Sequence, residues 1–431
     1  MNKDIISKKS NKLGGVITIP PDKSISHRSL IIGAQTKSRI KISNFSFGAD
    51  CRATLEIFKQ LGCEVDFIND NTLYLNSPKK FSEPETKLDC QNSGTSMRLL
   101  SGFLAAQEFN SVLIGDESLS KRPMKRVIAP LEQMGAKINS NDFRAPLEIF
   151  GQKLNPIEYF SPIPSAQVKS CILLAGMNTQ GTMTTYENAL SRDHSERMLK
   201  YLNADIQTGK DNKGYFVKIS KSELEPRDIE IVGDISSAAF FMVMAAIVPN
   251  SEIIIKNVGL NPTRTGILDV FDKMHVNYEI LDKKIVSNEE VGDIKVCYSP
   301  DMVGCEISGD IIARLIDELP IIAVLATQAK GQTTVSNAQD LRNKESDRIS
   351  ALVKGLIAIG AKIKEKPDGF IIEGKTELNG GCEVETHCDH RLAMSYFCAG
   401  LISKNPIVVK DFIWVNTSFP EFLNLFAKIS K

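Results

Sequence analysis

Apolar residues recur at helical spacing in a set of segments that share one plan. They are "ADCRATLEIFKQLGCEVDF", "KRPMKRVIAPLEQMGAKIN", "SRDHSERMLKYLNADIQT", "PTRTGILDVFDKMHVNYEI" and "KESDRISALVKGLIAIGAKIKE". In each, an amphipathic helical pattern gives way to Gly, Asn or a near equivalent, and then to alternation of period two. The spacing predicts a helix, a left-handed residue at its C-terminus and a strand. A second set is apolar nearly all round beyond its first turn: "SISHRSLIIGAQ", "GTSMRLLSGFLAAQ", "SAQVKSCILLAG", "ISSAAFFMVMAAI", "LPIIAVLATQA" and "HRLAMSYFCAGLI". Helices of that kind are expected to be buried. The two sets alternate with a period of roughly 65–75 residues. The expectation is an α/β (α+β) fold of repeated β-α-β-α-β-β units, six in number, forming two pseudo-symmetric lobes of three. The sixth is shortened and ends in "SFPEFLNLFAKI".

Polar residues collect where the apolar helices begin. "PDKSISHR" offers Lys23, Ser24 and Arg28, with Ser24 and Arg28 on one face at i, i+4. "NSGTSMR" places Gly94 where backbone N–H groups can be approached closely. "IPSAQVK" brings Ser165 and Gln167, "DELPIIA" brings Asp317, and "CDHRLAM" brings Arg391. The second helices add Arg122 in "SLSKRPMK", Ser191 in "LSRDHSE", and Lys344, Glu345 and Arg348 in "RNKESDR". Helix N-termini carry unsatisfied N–H donors and partial positive charge. Several converging with Arg and Lys suit small polyanions, since guanidinium forks match carboxylate and phosphate.

Overall charge does not supply this pattern. Lys+Arg and Asp+Glu both number 52 among 431 residues, so a general nucleic-acid partner is not expected. No run reaches membrane-span length and no signal-peptide apolar region opens the chain, so a cytoplasmic protein without membrane contact is expected. The nine Cys form no C-x-x-C pair and read as reduced thiols. "CEVETHCDHR" has zinc-ligand residue types without zinc-site spacing. "GFIIEGKT" fits the phosphate-loop pattern, but its apolar middle reads as strand and no helix signal follows. Neither a metal nor a nucleotide cofactor is expected.

These motifs occur in the order found in a known family. "PDKSISHR", "NSGTSMR", "KRPM", "IPSAQVKS", "DELPIIA", "NKESDRI", "DHRLAM" and "SFPEF" resemble the EPSP synthases, enolpyruvyl transferases that act as 3-phosphoshikimate 1-carboxyvinyltransferases. "SAQVKS" and "SRDHSE" resemble their second bacterial class. The resemblance implies two lobes that close like a clamp around a cleft holding the active site. Residues 1–20 and 234–431 would form one lobe and 21–233 the other. It implies transfer of the enolpyruvyl group of phosphoenolpyruvate to the 5-hydroxyl of shikimate 3-phosphate by addition and elimination, without cofactor, in a monomer.

By match to the family, Lys23 would bridge both substrates and shuttle a proton. Ser24, Ser165 and Ser191 would hold the shikimate phosphate, Arg28 its carboxylate and Lys344 its ring side. Gln167 would touch both ligands. Gly94 and Arg122 would face the phosphate of phosphoenolpyruvate, and Arg348 and Arg391 would grip its carboxylate. Asp317 would accept the hydroxyl proton and Glu345 would work near C3.

Three positions depart from the pattern. Ala166 stands where many relatives have a second serine. Thr417 stands where the first class has Lys, with Lys125 or Arg98 as candidate replacements for its charge. Arg192–His194 replace a Tyr region. The sister enzyme acting on UDP-N-acetylglucosamine is disfavoured, because its reactive Cys has no counterpart in "GDESLSKRPMK". The family is the target of glyphosate, which occupies the phosphoenolpyruvate site. Gly94 stands where tolerant second-class members commonly carry Ala.

Overall fold

The computed structural model describes residues 4–430. Each repeat contributes two principal helices. The first three repeats carry α1 (Lys23–Ile31) and α2 (Ala49–Gln60), α3 (Gly94–Ala105) and α4 (Lys125–Gln133), and α5 (Ala166–Gly176) and α6 (His194–Tyr201). The next three carry α7 (Ile235–Ile247) and α8 (Gly266–Met274), α9 (Leu319–Ala326) and α10 (Arg348–Ile359), and α11 (His390–Gly400) and α12 (Phe422–Ile429). The apolar set is buried as its composition requires: every residue of α7 and of α9 is buried. A left-handed residue follows each of the first five second helices within two positions: Gly62, Gly135, Asn203, His275 and Gly360 have φ of 96, 94, 62, 60 and 108°. Asn203 and His275 accept that conformation without being glycine, which is what a helix exit demands of them.

Five sheets have four strands and one has three, among the described residues. The second repeat shows the plan. Leu88–Asp89 runs parallel to Asn110–Ile114, which is antiparallel to Arg144–Phe150, which forms a hairpin with Lys137–Asn141. The third and fifth repeats follow the same order within continuous segments. Two repeats do not. The opening strand of the first is Ile229–Glu230, far along the chain, parallel to Arg39–Ser43. That of the fourth is Gly14–Thr18, paired with Glu252–Gly259. The three-stranded sheet of the sixth repeat is completed by Ile5–Ser7, antiparallel to Ile407–Val409. The segment "GFIIEGKT" opens with the strand Gly369–Gly374, inserted between two antiparallel neighbours, and no helix follows it directly.

The chain divides into two units: Met1–Pro20, Gly233–Lys284 and Glu290–Lys431 in one, Pro21–Val232 and Ile285–Glu289 in the other. In the first unit, strand Gly14–Thr18 joins the repeat that α7 opens. In the second, Ile285–Glu289 is an addition with no signal in the residue pattern. Glu289 Oε1 lies 2.7 Å from His194 Nδ1, and Ser287 Oγ accepts the Glu230 N–H at 2.9 Å.

Helices α3 and α5 of the second unit pack at a glycine. A Cβ on Gly102 would overlap the Cys171 carbonyl oxygen in the facing helix. Both residues are in fully buried stretches, so neither backbone has free space to retreat into. Gly102→Ala is expected to lower the urea unfolding midpoint by the equivalent of about 1–3 kcal/mol, the usual cost of overpacking. An unchanged midpoint would mean that the helices are not in backbone contact there.

Candidate active site

The residues singled out at helix starts fall into two sets, one in each unit. In the Pro21–Val232 unit, α1 begins at Lys23 because Asp22 caps it, its Oδ1 accepting the Ile25 N–H at 2.9 Å. Lys23 Nζ pairs with Asp50 in the first turn of α2. Ser24 follows, half-buried. Arg28 is buried, and its guanidinium is fixed on three sides. Nη1 donates to the Ser24 carbonyl at 3.0 Å, Nε to Ser195 Oγ at 2.7 Å and Nη2 to Ser170 Oγ at 2.8 Å.

Gly94 starts α3 under the Ser93 cap. Around it the structure gathers Arg98, Arg122 and Gln167. Arg98 Nη1 donates to Gln167 Oε1 at 2.8 Å, and Gln167 Nε2 donates to Thr95 Oγ1 at 3.1 Å. Arg122 Nη2 donates to Asn92 Oδ1 at 2.8 Å, while its buried Nε has no partner. A Cβ on Gly94 would stand 2.7 Å from Arg98 Nη1 and 3.4 Å from Arg122 Nη1. The sequence expectation left Arg98 as an alternative source of charge; here it bridges Gly94 and Gln167. Lys125 is exposed, and its Nζ lies 5.3 Å from the Phe143 ring centroid.

Ser165 caps α5, and Ser191 lies buried in the segment leading to α6. Both reach Glu187, at the end of strand Thr182–Glu187. Glu187 had no role in the sequence expectation; a lone carboxylate closing a Thr-rich strand was its only signal.

In the other unit, α9 begins after Asp317 and Glu318, with Pro320 in its first turn. Arg348, at the start of α10, is 1% exposed, and three carboxylates surround it. Nε donates to Asp389 Oδ2 at 2.7 Å, Nη2 pairs with Glu345, and Nη1 stands 3.7 Å from Asp317 Oδ1. Burial alone would pull this guanidinium's pKa down, but Asp389, Glu345 and Asp317 more than reverse that and raise it. Lys344 Nζ also lies 3.7 Å from Asp317 Oδ1. Arg391 Nη1 donates to the Asp317 carbonyl at 3.1 Å. Asp389 ties two of these residues together, because its Oδ1 accepts the Arg391 N–H at 2.9 Å as the cap of α11. Thus Asp317, Lys344, Glu345, Arg348 and Arg391 are brought together. Thr417 ends a short 3-10 helix, Phe412–Thr417. Among the described residues no group of three or more His, Cys, Asp or Glu could hold a metal ion, and no helix is long and apolar enough to cross a membrane.

The family model for EPSP synthase (3-phosphoshikimate 1-carboxyvinyltransferase) matches residues 7–426. The chain belongs to the EPSP synthase family. It is 47% identical to the 3-phosphoshikimate 1-carboxyvinyltransferase of Petrotoga mobilis, covering 97% of this chain and 98% of that one. It is 45% identical to the enzyme of that name from Bacillus pumilus, with the same coverage. Among solved structures it is similar to EPSP synthase from Acinetobacter baumannii, with a TM-score of 0.87 and 38% identity over 99% of this chain and 98% of that one. The enolpyruvyl transferase NikO from Streptomyces tendae shares the fold, at a TM-score of 0.80 and 16% identity over 100% and 98% of the two chains. The fold is therefore the mixed α/β enolpyruvyl transferase fold, and the chain is an enzyme of the EPSP synthase family.

One buried group beside the EPSP synthase motifs is titratable. His27 is fully buried, with Nδ1 2.8 Å from Thr54 Oγ1, in a hydroxyl chain that continues to Ser96 and the α3 cap Ser93. Burial first, then Lys23 and Arg28, lowers its pKa well below 6.5, with Asp22 opposing. The unfolded chain binds this proton below about pH 6.5 and the folded chain does not, so His27's contribution is full above that pH and lost as pH falls below it. Relative to His27→Gln, the wild type is expected to lose stability below pH 6.5 at up to about 1.4 kcal/mol per pH unit. Parallel chemical-unfolding curves between pH 7.5 and 5 would show it. Identical pH slopes would mean that His27 is protonated in the fold.

Proposed function

We propose that the two sets of side chains bind shikimate 3-phosphate and phosphoenolpyruvate and carry the transfer of the enolpyruvyl group between them. The family match supports the reaction. The observation that carries the assignment of roles is the grouping of Asp317, Lys344 and Glu345 about the buried Arg348.

The addition step needs a base for the 5-hydroxyl and an acid for C3 of the enol ether. The bond forms between the hydroxyl oxygen and C2, and C3 gains a proton. Elimination then breaks the C2–O bond to phosphate and returns a proton from C3. Asp317 is the base, with Lys344 and Arg348 on its carboxylate side. Glu345, against Arg348, exchanges the proton at C3. Arg348 and Arg391 receive the phosphoenolpyruvate carboxylate. Gly94 and Arg122 receive its phosphate, with Arg98 added to them on the geometry around Gly94. Lys23 and Gln167 serve both substrates. Ser24, Ser165 and Ser191 take the shikimate phosphate, and Lys344 the ring side. Arg28 takes the carboxylate, held rigid by its bonds to Ser24, Ser170 and Ser195. The charge developing on phosphate is met by fixed cations and helix N-termini.

We infer further that the two units are the family's two lobes of three repeats each, a reading supported by the strands that complete the first and fourth repeats. The enzyme acts as a cytoplasmic monomer on these small molecules alone.

Asp317→Ala and Glu345→Ala are each expected to lower kcat by on the order of 10²-fold or more while binding of shikimate 3-phosphate survives, as acid–base roles imply. Phosphate release from phosphoenolpyruvate measures the first and calorimetry the second. Near-normal turnover in Asp317→Ala would overturn its assignment.

Gly94→Ala is expected to relieve glyphosate inhibition more than it harms phosphoenolpyruvate binding. The methyl first meets Arg98 Nη1, the movable end of a long side chain. Glyphosate, which is longer than phosphoenolpyruvate, has less room to follow that displacement. Inhibition constants for both proteins at matched salt decide it. Equal insensitivity of wild type and variant would remove Gly94 as the controlling contact.

A further inference from the structure

A buried charge cluster lies directly behind two serines assigned to the shikimate phosphate. Lys169, on the second turn of α5, is 2% exposed, and Glu187 and Glu196 are 3% and 5% exposed. Lys169 Nζ meets Glu196 Oε1 at 2.7 Å, Glu187 Oε2 at 3.0 Å and the Ser191 carbonyl at 3.3 Å, so its three protons are all placed. Glu187 Oε1 accepts the Ser165 N–H at 2.9 Å and the Ser191 hydroxyl at 2.7 Å. Its Oε2 accepts the Ser191 N–H at 3.4 Å. Glu196 Oε2 is buried with no partner.

Such a cluster is a poor device for stability. Desolvating three ionisable groups costs about as much as their attraction returns, and apolar residues of similar volume often serve a fold as well. What the cluster does control is position. The Glu187 carboxylate binds both serines, and it fixes each by its backbone. Ser165 Oγ accepts from the Val168 N–H, which leaves its own proton for a ligand. Ser191 Oγ has a single proton, and Glu187 holds it. When that hydroxyl turns to donate elsewhere, Glu187 keeps Lys169 and two N–H groups, so no buried carboxylate is stranded.

We propose that Glu187, neutralised by Lys169 and backed by Glu196, is a positioning residue that presets Ser165 and Ser191 for the phosphate of shikimate 3-phosphate. This rests on the reading that those serines receive that phosphate. Glu187 itself occupies the donors when the site is empty and yields the Ser191 hydroxyl to the incoming anion.

The test uses the intact enzyme with Lys169→Met, Glu187→Met and Glu196→Met combined, so that no charge is stranded, and Glu187→Gln separately. Thermal melts check folding. Steady-state kinetics give KM for each substrate, and calorimetry compares shikimate with shikimate 3-phosphate. The triple variant is expected to fold and to raise KM for shikimate 3-phosphate by about tenfold or more, as for loss of charge-assisted hydrogen-bond geometry. KM for phosphoenolpyruvate and affinity for shikimate, which lacks the phosphate, should stay within about twofold, since positioning affects only the phosphate contacts. Glu187→Gln should move the same readouts in the same direction by less, and it decides the matter alone if the triple variant does not fold. If Ser165→Ala and Ser191→Ala weaken shikimate 3-phosphate but removal of the cluster does not, the positioning role is overturned and the phosphate assignment stands. If the serine variants change nothing, the phosphate assignment fails and takes the positioning role with it. An equal rise in both KM values would reduce the cluster to a structural one.

Discussion

Side-chain capping at the starts of the buried helices governs where the chemistry can sit. Asp22, Ser93, Ser165, Asp234 and Asp389 each accept an N–H from the first turn of α1, α3, α5, α7 and α11. A capped start is fixed in direction, and the N–H groups the cap does not use remain available to an anion. The later turns of each helix are mostly committed to the core, so the polar side chains of the site gather in its first two turns. Lys23, Gly94, Ser165 and Arg391 all fall within a residue or two of such a cap. α9 is the exception: Glu318 makes no cap bond, and Pro320 occupies the first turn in its place.

Each unit places a buried cation behind its helix starts. In one, Arg348 is gripped by Asp389 and Glu345 with Asp317 near; in the other, Lys169 is gripped by Glu187 and Glu196. The residue types differ with the task. Arg348 keeps a buried Nη1 without a hydrogen-bond partner, so its fork has capacity left for a planar carboxylate. Lys169 is saturated by its neighbours, which suits a charge that balances others and meets no ligand. The Asp389 carboxylate works in two directions at once, capping α11 with one oxygen and aiming Arg348 with the other.

The repeat was legible because its signals are local. Periodicity, the left-handed residue after each second helix and the polar helix starts all lie within a few residues of one another. Asn203 and His275 could be placed at helix exits by position alone, although neither is glycine. The exchange of opening strands was not legible from periodicity, because it pairs Gly14–Thr18 with a strand that begins at Glu252, and nothing in either segment names its partner. The same limit hid the supporting charges. Arg98 and Glu196 stand in motifs and could be noticed, whereas Glu187 reads as an ordinary acidic residue until the fold sets it against Lys169.

The strand exchange has a consequence for the order in which the protein can be made. Ile5–Ser7 and Gly14–Thr18 leave the ribosome well before their partners, Ile407–Val409 and Glu252–Gly259. At bacterial or eukaryotic synthesis rates the second of these partners follows by roughly 10–50 s, and the first later still. Through that interval the nascent chain carries unpaired strand edges while the repeats of the Pro21–Val232 unit emerge and fold. That unit cannot finish alone either, since Ile285–Glu289 belongs to it. The Pro21–Val232 unit can therefore close once Glu289 has emerged, whereas the other unit waits for Ile407–Val409.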